Sequence, residues 1–249
     1  MIYQKYKKFV VVGDSHGKYI DPKAADAFLS FCKMWKPQIK VHLGDAWDLD
    51  AFRRSASVDD QNEEIQEDWE AGFDFLNQYF RGFGEERYFL YGNHDDRLFQ
   101  IQRSVKASNR DLGRRMVDEA ERFFRLRGVK TLPYDSRKGV LNIGHLSVIH
   151  GYFTGASACT KHAQSYGNSI FGHVHSCESM AVPGLELMES RAIGCLCDLD
   201  LEYMRPKVSK LRWSHGWVYG VILPDKTYHL FQARMVNGKV AIALNPRII

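Results

Sequence analysis

Five times along this chain of 249 residues, a short apolar run stops and hands over at once to glycine beside Asp, Asn or His. The handover segments are Gly13-Asp14-Ser15-His16-Gly17, Gly44-Asp45-Ala46-Trp47-Asp48, Gly92-Asn93-His94-Asp95, Ile149-His150-Gly151 and Gly172-His173-Val174-His175. The runs before them are Lys8 to Val12, Ile39 to Leu43, Arg87 to Tyr91, Leu146 to Ile149 and Ser169 to Phe171. Each is too short for a helix and reads as a buried strand. Strands that deliver polar residues at their carboxyl ends suit an α/β sheet, where sites gather outside those ends.

The intervening segments read as helices. Asp21-Pro22 places a cap and a first-turn proline before a helix running to about Trp35. Ile65, Trp69, Phe73, Leu76 and Phe80 recur at three- and four-residue spacing, predicting an amphipathic helix over Glu63 to Phe80 with an acidic outer face. Arg97 to Arg127 predicts basic helices broken near Asn109, and Ala156 to Ser165 a further helix. Later the pattern turns to short strands: Leu141 to Ile143, Ser179 to Val182, Glu186 to Met188, Trp217 to Leu223, Tyr228 to Ala233 and Lys239 to Leu244. Repeats, low-complexity tracts and long linkers are absent from the sequence, which favours one domain over residues 1–249. Strand–helix alternation followed by a strand-rich half predicts an α/β fold with sheet packed on sheet.

The five segments offer Asp, Asn and His, the oxygen and nitrogen ligands of divalent metals, with no cysteine among them. Together they supply ligands for two ions, and a two-metal centre suits in-line displacement at phosphorus. Any one segment is weak: a lone D-x-H is common, and Gly-Asp after a strand is often turn chemistry. Five in this order, each at a predicted strand end, are specific.

The ordered set D-x-H, G-D-x-x-D, G-N-H-D, H and G-H-x-H resembles the calcineurin-like metallophosphoesterases. The resemblance runs from Gly13 to His175, about two-thirds of the chain. It implies a four-layer αββα sandwich of two mixed sheets flanked by helices. It also implies a first metal held by Asp14, His16 and His175, a second held by Asn93, His150 and His173, and Asp45 bridging the two. His94 would face the substrate and protonate the leaving oxygen, a task suited to an imidazole near its usual pKa of about 6.5. A metal-bound water with its pKa lowered toward neutrality would be the nucleophile. Asp48 and Asp95 read either as carboxylates that orient a histidine or as loop caps. Mn²⁺ is favoured by the oxygen-rich ligands, with Fe, Zn, Co or Ni as alternatives. GDAWD lacks the Arg-Gly that follows the second Asp in the protein Ser/Thr phosphatase branch, which disfavours a phosphoprotein substrate. The HGY…KHA and GCLCDLD stretches are similar to phosphoesterases of bacteriophage genomes.

Charge bears on the substrate. The net +4 hides an excess of twelve bases over five acids between Arg97 and Lys138. Such a segment suits DNA, RNA or another polyanion, and equally suits solvated helix faces. A phosphodiesterase or nuclease-like hydrolase is the leading expectation. A phosphomonoesterase or nucleotide pyrophosphatase is the alternative, and a non-catalytic binding scaffold is a third. No apolar run approaches the ~20 residues of a membrane span. No signal-peptide core follows the N-terminus, and five scattered cysteines without a CxxC pair suggest reduced thiols; the expectation is a cytoplasmic protein without a membrane partner. The Cys195-Leu-Cys197 pair reads as buried thiols rather than a metal site. Lys161-His162 reads as an exposed helix pair that could alternatively place a cation near phosphate, and Arg53 and Arg54 carry the same ambiguity. Trp213, His215 and Trp217 read as core aromatics in preference to a base-stacking surface.

Overall fold

The computed structural model describes residues 6–53, 64–201 and 206–246. Two mixed sheets face one another with helices on their outer faces, an α/β sandwich of four layers. The larger sheet combines β1 (Lys7–Val12), β2 (Ile39–His42), β3 (Glu86–Leu90) and β4 (Lys130–Leu132) with β10 (Gly216–Ile222), β11 (Tyr228–Val236) and β12 (Lys239–Val240). Its order is β12-β11-β10-β1-β2-β3-β4, parallel from β1 to β4 and antiparallel from β1 to β12. The smaller sheet has the order β5-β6-β7-β9-β8, from β5 (Leu141–Ile143), β6 (Leu146–Ile149), β7 (Ser169–Phe171), β8 (Cys177–Val182) and β9 (Met188–Ile193).

Period-two alternation in β1 builds two cores at once. Phe9 and Val11 pack with Val41, Leu43, Val148, Ile170 and Val218 between the sheets. Val10 and Val12 face the other way, toward α1 (Pro22–Trp35), α2 (Ile65–Phe80) and α4 (Ala107–Leu126). Both faces of β1 are therefore dry, which is why it reads as an unbroken apolar run. On the far side, α5 (Ala158–Tyr166) buries Ala158 and Cys159 against Ile149, Phe171 and Ala192. Asp21 caps α1 as its sequence suggested, accepting the Ala24 N–H at 2.8 Å.

Several boundaries differ from expectation. The basic helices break between α3 (Arg97–Gln102) and α4, over residues 103–106, rather than near Asn109; the Arg110 guanidinium holds the break by donating to the Ser104 and Val105 carbonyls. The strand expected over Glu186 to Met188 instead runs Met188–Ile193. Ser190 disguised it, because this hydroxyl is buried and satisfied by the Ser169 hydroxyl at 2.8 Å. β4 has only three residues and no alternation to reveal it. The last strand stops at Val240, short of Leu244. Among the described residues, no helix is long and apolar enough to cross a membrane. All five cysteines are free thiols.

Candidate metal centre

Strand register brings the five handover segments together. Val12 pairs with His42 and His42 with Phe89, so β1, β2 and β3 end side by side. Ile149 and Phe171 end level in the second sheet. The loops then bond to one another: Asp14 N–H donates to the Gly44 carbonyl at 2.9 Å, His16 N–H to the Asp45 carbonyl at 2.9 Å, and His173 N–H to the Asp14 carboxylate at 3.0 Å. Packing is tight enough to demand glycine. A Cβ on Gly92 would lie 2.1 Å from Asp45 Oδ1, and one on Gly172 would lie 2.4 Å from Asp14 Oδ2. Asp14, His16, Asp45, His173 and His175 all hold positive φ, between 48° and 68°. Each such residue costs on the order of 1–2 kcal/mol, and their concentration at one place marks it as functional.

The side chains of these loops converge on two neighbouring points. His150 Nδ1 bonds the Leu43 carbonyl at 2.7 Å, so it carries the proton. Its Nε2 faces Asn93 Oδ1, 3.0 Å away, and Asp45 Oδ2, 3.4 Å away. His16 repeats the pattern: Nδ1 bonds Asp48 Oδ1 at 2.7 Å, and Nε2 faces His175 Nε2 at 3.1 Å. His175 Nε2 is also 3.3 Å from Asp14 Oδ1. Asp14, His16 and Asp45 offer ligand atoms within 4.8 Å of one another, as do Asp45, His150 and His173. Carboxylate, imidazole and amide atoms this close together, in these numbers, are the ligand types of divalent ions, so these residues fit such ions.

In the absence of a cation these groups share protons with one another: burial opposes protonation of His175, but Cys197 and Asp14 outweigh it and raise it, as His16 is raised, to about 9. Burial opposes ionisation of Asp14 and Asp45, yet the hydrogen bond from His175 holds Asp14 below the usual carboxylate range, and His150 does the same for Asp45 by charge. His173, deeply placed and beside His150, is pushed down to about 4, so it offers a free electron pair at neutral pH. Burial opposes protonation of His16 and His94, but Asp48 outweighs it at His16 and Asp45 with Asp48 at His94, raising both to about 9.

Two carboxylates work behind this layer. Asp48 Oδ1 lies 2.7 Å from His16 Nδ1 and 2.9 Å from His94 Nδ1, so one oxygen orients two imidazoles. His94 keeps 18% of its side chain exposed, whereas Asp48 keeps 1%. The partly exposed members are Asn93, His94 and His173, and they define the open side. Of its two readings, Asp95 takes the loop cap. Its buried carboxylate accepts backbone N–H groups from Asp45 (2.8 Å), Ala46 (3.0 Å), Trp47 (3.3 Å) and Gly92 (2.8 Å), so it caps loops and contacts no imidazole. The reason is position: three residues after Gly92, it folds back beneath its own loop.

Further residues brace the loops. Asp68 accepts the Asp48 and Leu49 N–H groups at 3.1 and 2.9 Å. It belongs to the apolar stripe of α2 at i+3 from Ile65, so an acid on the buried face was a usable signal. Arg97 donates to the Asp48 carbonyl at 2.6 Å and to Asp50 at 3.0 Å. His162 is buried, not an exposed helix residue: its Nε2 accepts the Tyr152 N–H at 2.9 Å while Nδ1 bonds the Ala158 carbonyl, anchoring the loop after His150. Lys161 is exposed beside it. Arg53 is half-buried, and Arg54 lies outside the described residues. Trp217 belongs to the core and His215 is buried, its Nε2–H donating to the Cys197 carbonyl at 2.9 Å. Trp213 is not a core residue; it is half-buried against the His175 ring, centroids 4.3 Å apart.

No protein-family model matches the sequence, and no curated protein matches it. Solved structures do match over most of their length. Vps29 from Entamoeba histolytica, in a single-mutant form, is 14% identical, covers 94% of this chain and 96% of its own, and has a TM-score of 0.49. Vps29 from Chaetomium thermophilum is 11% identical, with coverages of 95% and 93% and a TM-score of 0.49. A metallophosphoesterase from Sphaerobacter thermophilus is 11% identical, with coverages of 93% and 89% and a TM-score of 0.45.

Proposed function

We propose that the protein is a calcineurin-like, dinuclear metal-dependent phosphoesterase that hydrolyses phosphodiester bonds of a nucleic acid or nucleotide, with residues 1–249 acting as one catalytic domain. In this reading Asp14, His16 and His175 hold one ion, Asn93, His150 and His173 the other, and Asp45 both. The observation that carries it is the convergence of imidazole, carboxylate and amide ligand atoms around Asp45, above all His150 Nε2 facing both Asn93 Oδ1 and Asp45 Oδ2. Two dications, Mn²⁺ in our reading, would supply an activated water and neutralise phosphate oxygens.

The chain's own groups do the rest. Asp48 takes the Nδ1 proton of His94 in a hydrogen bond, which leaves Nε2 of this part-exposed ring to hand a proton to the leaving oxygen. The His94 N–H donates to Asp45 Oδ1 at 2.8 Å, so the proton donor and the shared carboxylate keep a fixed separation. Preference for a polyanion is supported by placement. α3 starts two residues after Asp95 and rises roughly 10 Å to the exposed Arg103 that follows its end.

A substrate panel with added Mn²⁺ tests the reading, spanning single- and double-stranded DNA, RNA, cyclic nucleotides, dinucleotides and an aryl monoester. Diester turnover that falls steeply with salt is expected for nucleic acid; turnover of the monoester alone would overturn the diester assignment. Asp45→Asn is expected to abolish turnover and to weaken metal retention by elemental analysis. Full activity of that variant, with its metal content verified, would sink the assignment altogether.

A further inference from the structure

The last third of the sequence offers no motif with chemistry, yet one of its residues touches two members of the metal centre. Cys197 lies in the loop after β9 and is fully buried. Its backbone N–H donates to the Asp14 carbonyl at 3.2 Å, alongside the Leu196 N–H at 3.1 Å. Its Sγ lies 3.7 Å from His175 Nδ1. His16, His175 and Cys197 also bring ligand atoms within 4.8 Å of one another.

The direction of the sulfur contact follows from the other ring nitrogen. His175 Nε2 is committed to the centre, facing His16 Nε2 at 3.1 Å and Asp14 Oδ1 at 3.3 Å. Once Nε2 gives its electron pair to an ion, the imidazole keeps its proton on Nδ1, and that proton needs an acceptor. His16 gives its Nδ1 proton to a carboxylate and His150 gives its own to a carbonyl. For His175 the acceptor at Nδ1 is a thiol sulfur, a weaker one. The rest of the ring is fixed from the same region. Trp213 packs against it at a tilt of 58°, 4.3 Å between centroids, and the Ser214 N–H donates to the His175 carbonyl at 2.8 Å.

We propose that Cys197 is a positioning residue of the first metal site: its sulfur accepts the Nδ1 proton of His175 and so presents Nε2 to the ion, while its backbone holds Asp14. This rests on the metal-centre reading above. It assigns the GCLCDLD segment a task in metal binding without making its thiol a ligand. Outer partners of ligating histidines commonly set 10- to 100-fold in metal affinity.

The test is calorimetric titration of the apo protein with Mn²⁺, comparing wild type with Cys197→Ala and Cys197→Ser. Cys197→Ala is expected to weaken binding of one of the two ions by about tenfold or more and to leave the other within about threefold. Cys197→Ser keeps an acceptor and is expected to restore most of that loss. Nitrogen-15 spectra of the Zn²⁺-loaded protein supply a readout that packing alone would not move: His175 should be protonated at Nδ1 in wild type and in the serine variant. Alanine binding Mn²⁺ as wild type does would overturn the proposal, as would serine falling as far as alanine, which would make the effect one of packing. Unchanged melting of the metal-free variants is the check that they fold. Wild type that binds no metal would instead overturn the metal-centre reading itself.

Discussion

Asp95 is the residue whose removal most directly tests how the centre is built. Its carboxylate is buried, and its two oxygens accept four backbone N–H groups, from Asp45, Ala46, Trp47 and Gly92, at 2.8 to 3.3 Å. Asp95→Ala leaves four buried donors without an acceptor. At roughly 2 kcal/mol each, their desolvation costs about 8 kcal/mol. One term runs the other way. Burial, and then the charge of Asp45, pushes the Asp95 carboxyl up to about 7, a cost of about 4 kcal/mol that the substitution removes. The net expectation is a loss of about 4 kcal/mol, a large part of a typical domain's stability. Asp95→Asn removes the charge but keeps one acceptor oxygen, so it should lose far less stability. Urea unfolding of the metal-free proteins measures both. An Asp95→Ala variant within 1 kcal/mol of wild type would show that water or a loop shift replaces the carboxylate, and the loop-cap assignment would fail. Both variants are expected to bind Mn²⁺ more weakly, because the Asp45 backbone loses its anchor.

Other outcomes follow from the same geometry. His94→Asn should leave both ions bound by elemental analysis but slow turnover about 10²- to 10⁴-fold, most for poor leaving groups; loss of metal would mean that His94 is a ligand. Gly92→Ala puts a Cβ 2.1 Å from Asp45 Oδ1 and 2.6 Å from His150 Cε1, so metal binding should fail and thermal stability should drop by about 1–3 kcal/mol in calorimetry. His162 gives a pH signature. Burial lowers its pKa to about 4, below the ordinary 6.5, so between those values the unfolded chain binds the proton that the folded one refuses. Its contribution is intact above pH 6.5 and is lost as pH falls toward 4, up to about 3 kcal/mol. His162→Gln should therefore flatten that part of the stability curve in urea titrations; an unchanged acid limb would refute the buried neutral state.

The five handover segments were legible because each depends on local chemistry. A buried strand needs apolar residues on both faces, as Phe9 to Val12 show, and the residues after it need no distant partner to be recognised as ligand types. Capping by Asp21 and the stripe of α2 were equally local. What the sequence determined by itself was the strand–helix order, the sandwich class and the set of polar residues at the strand ends. The tertiary structure decided which of them meet and what stands behind them. Asp48 and Asp95 are both acids closing a strand-end motif, yet one orients two histidines and the other caps two loops. Cys197 is 22 residues from His175 and meets it because β9 carries the chain back beneath the β1 loop. Contacts of that kind depend on where sheets pack and loops cross, and the pattern of a strand records only which of its faces are dry.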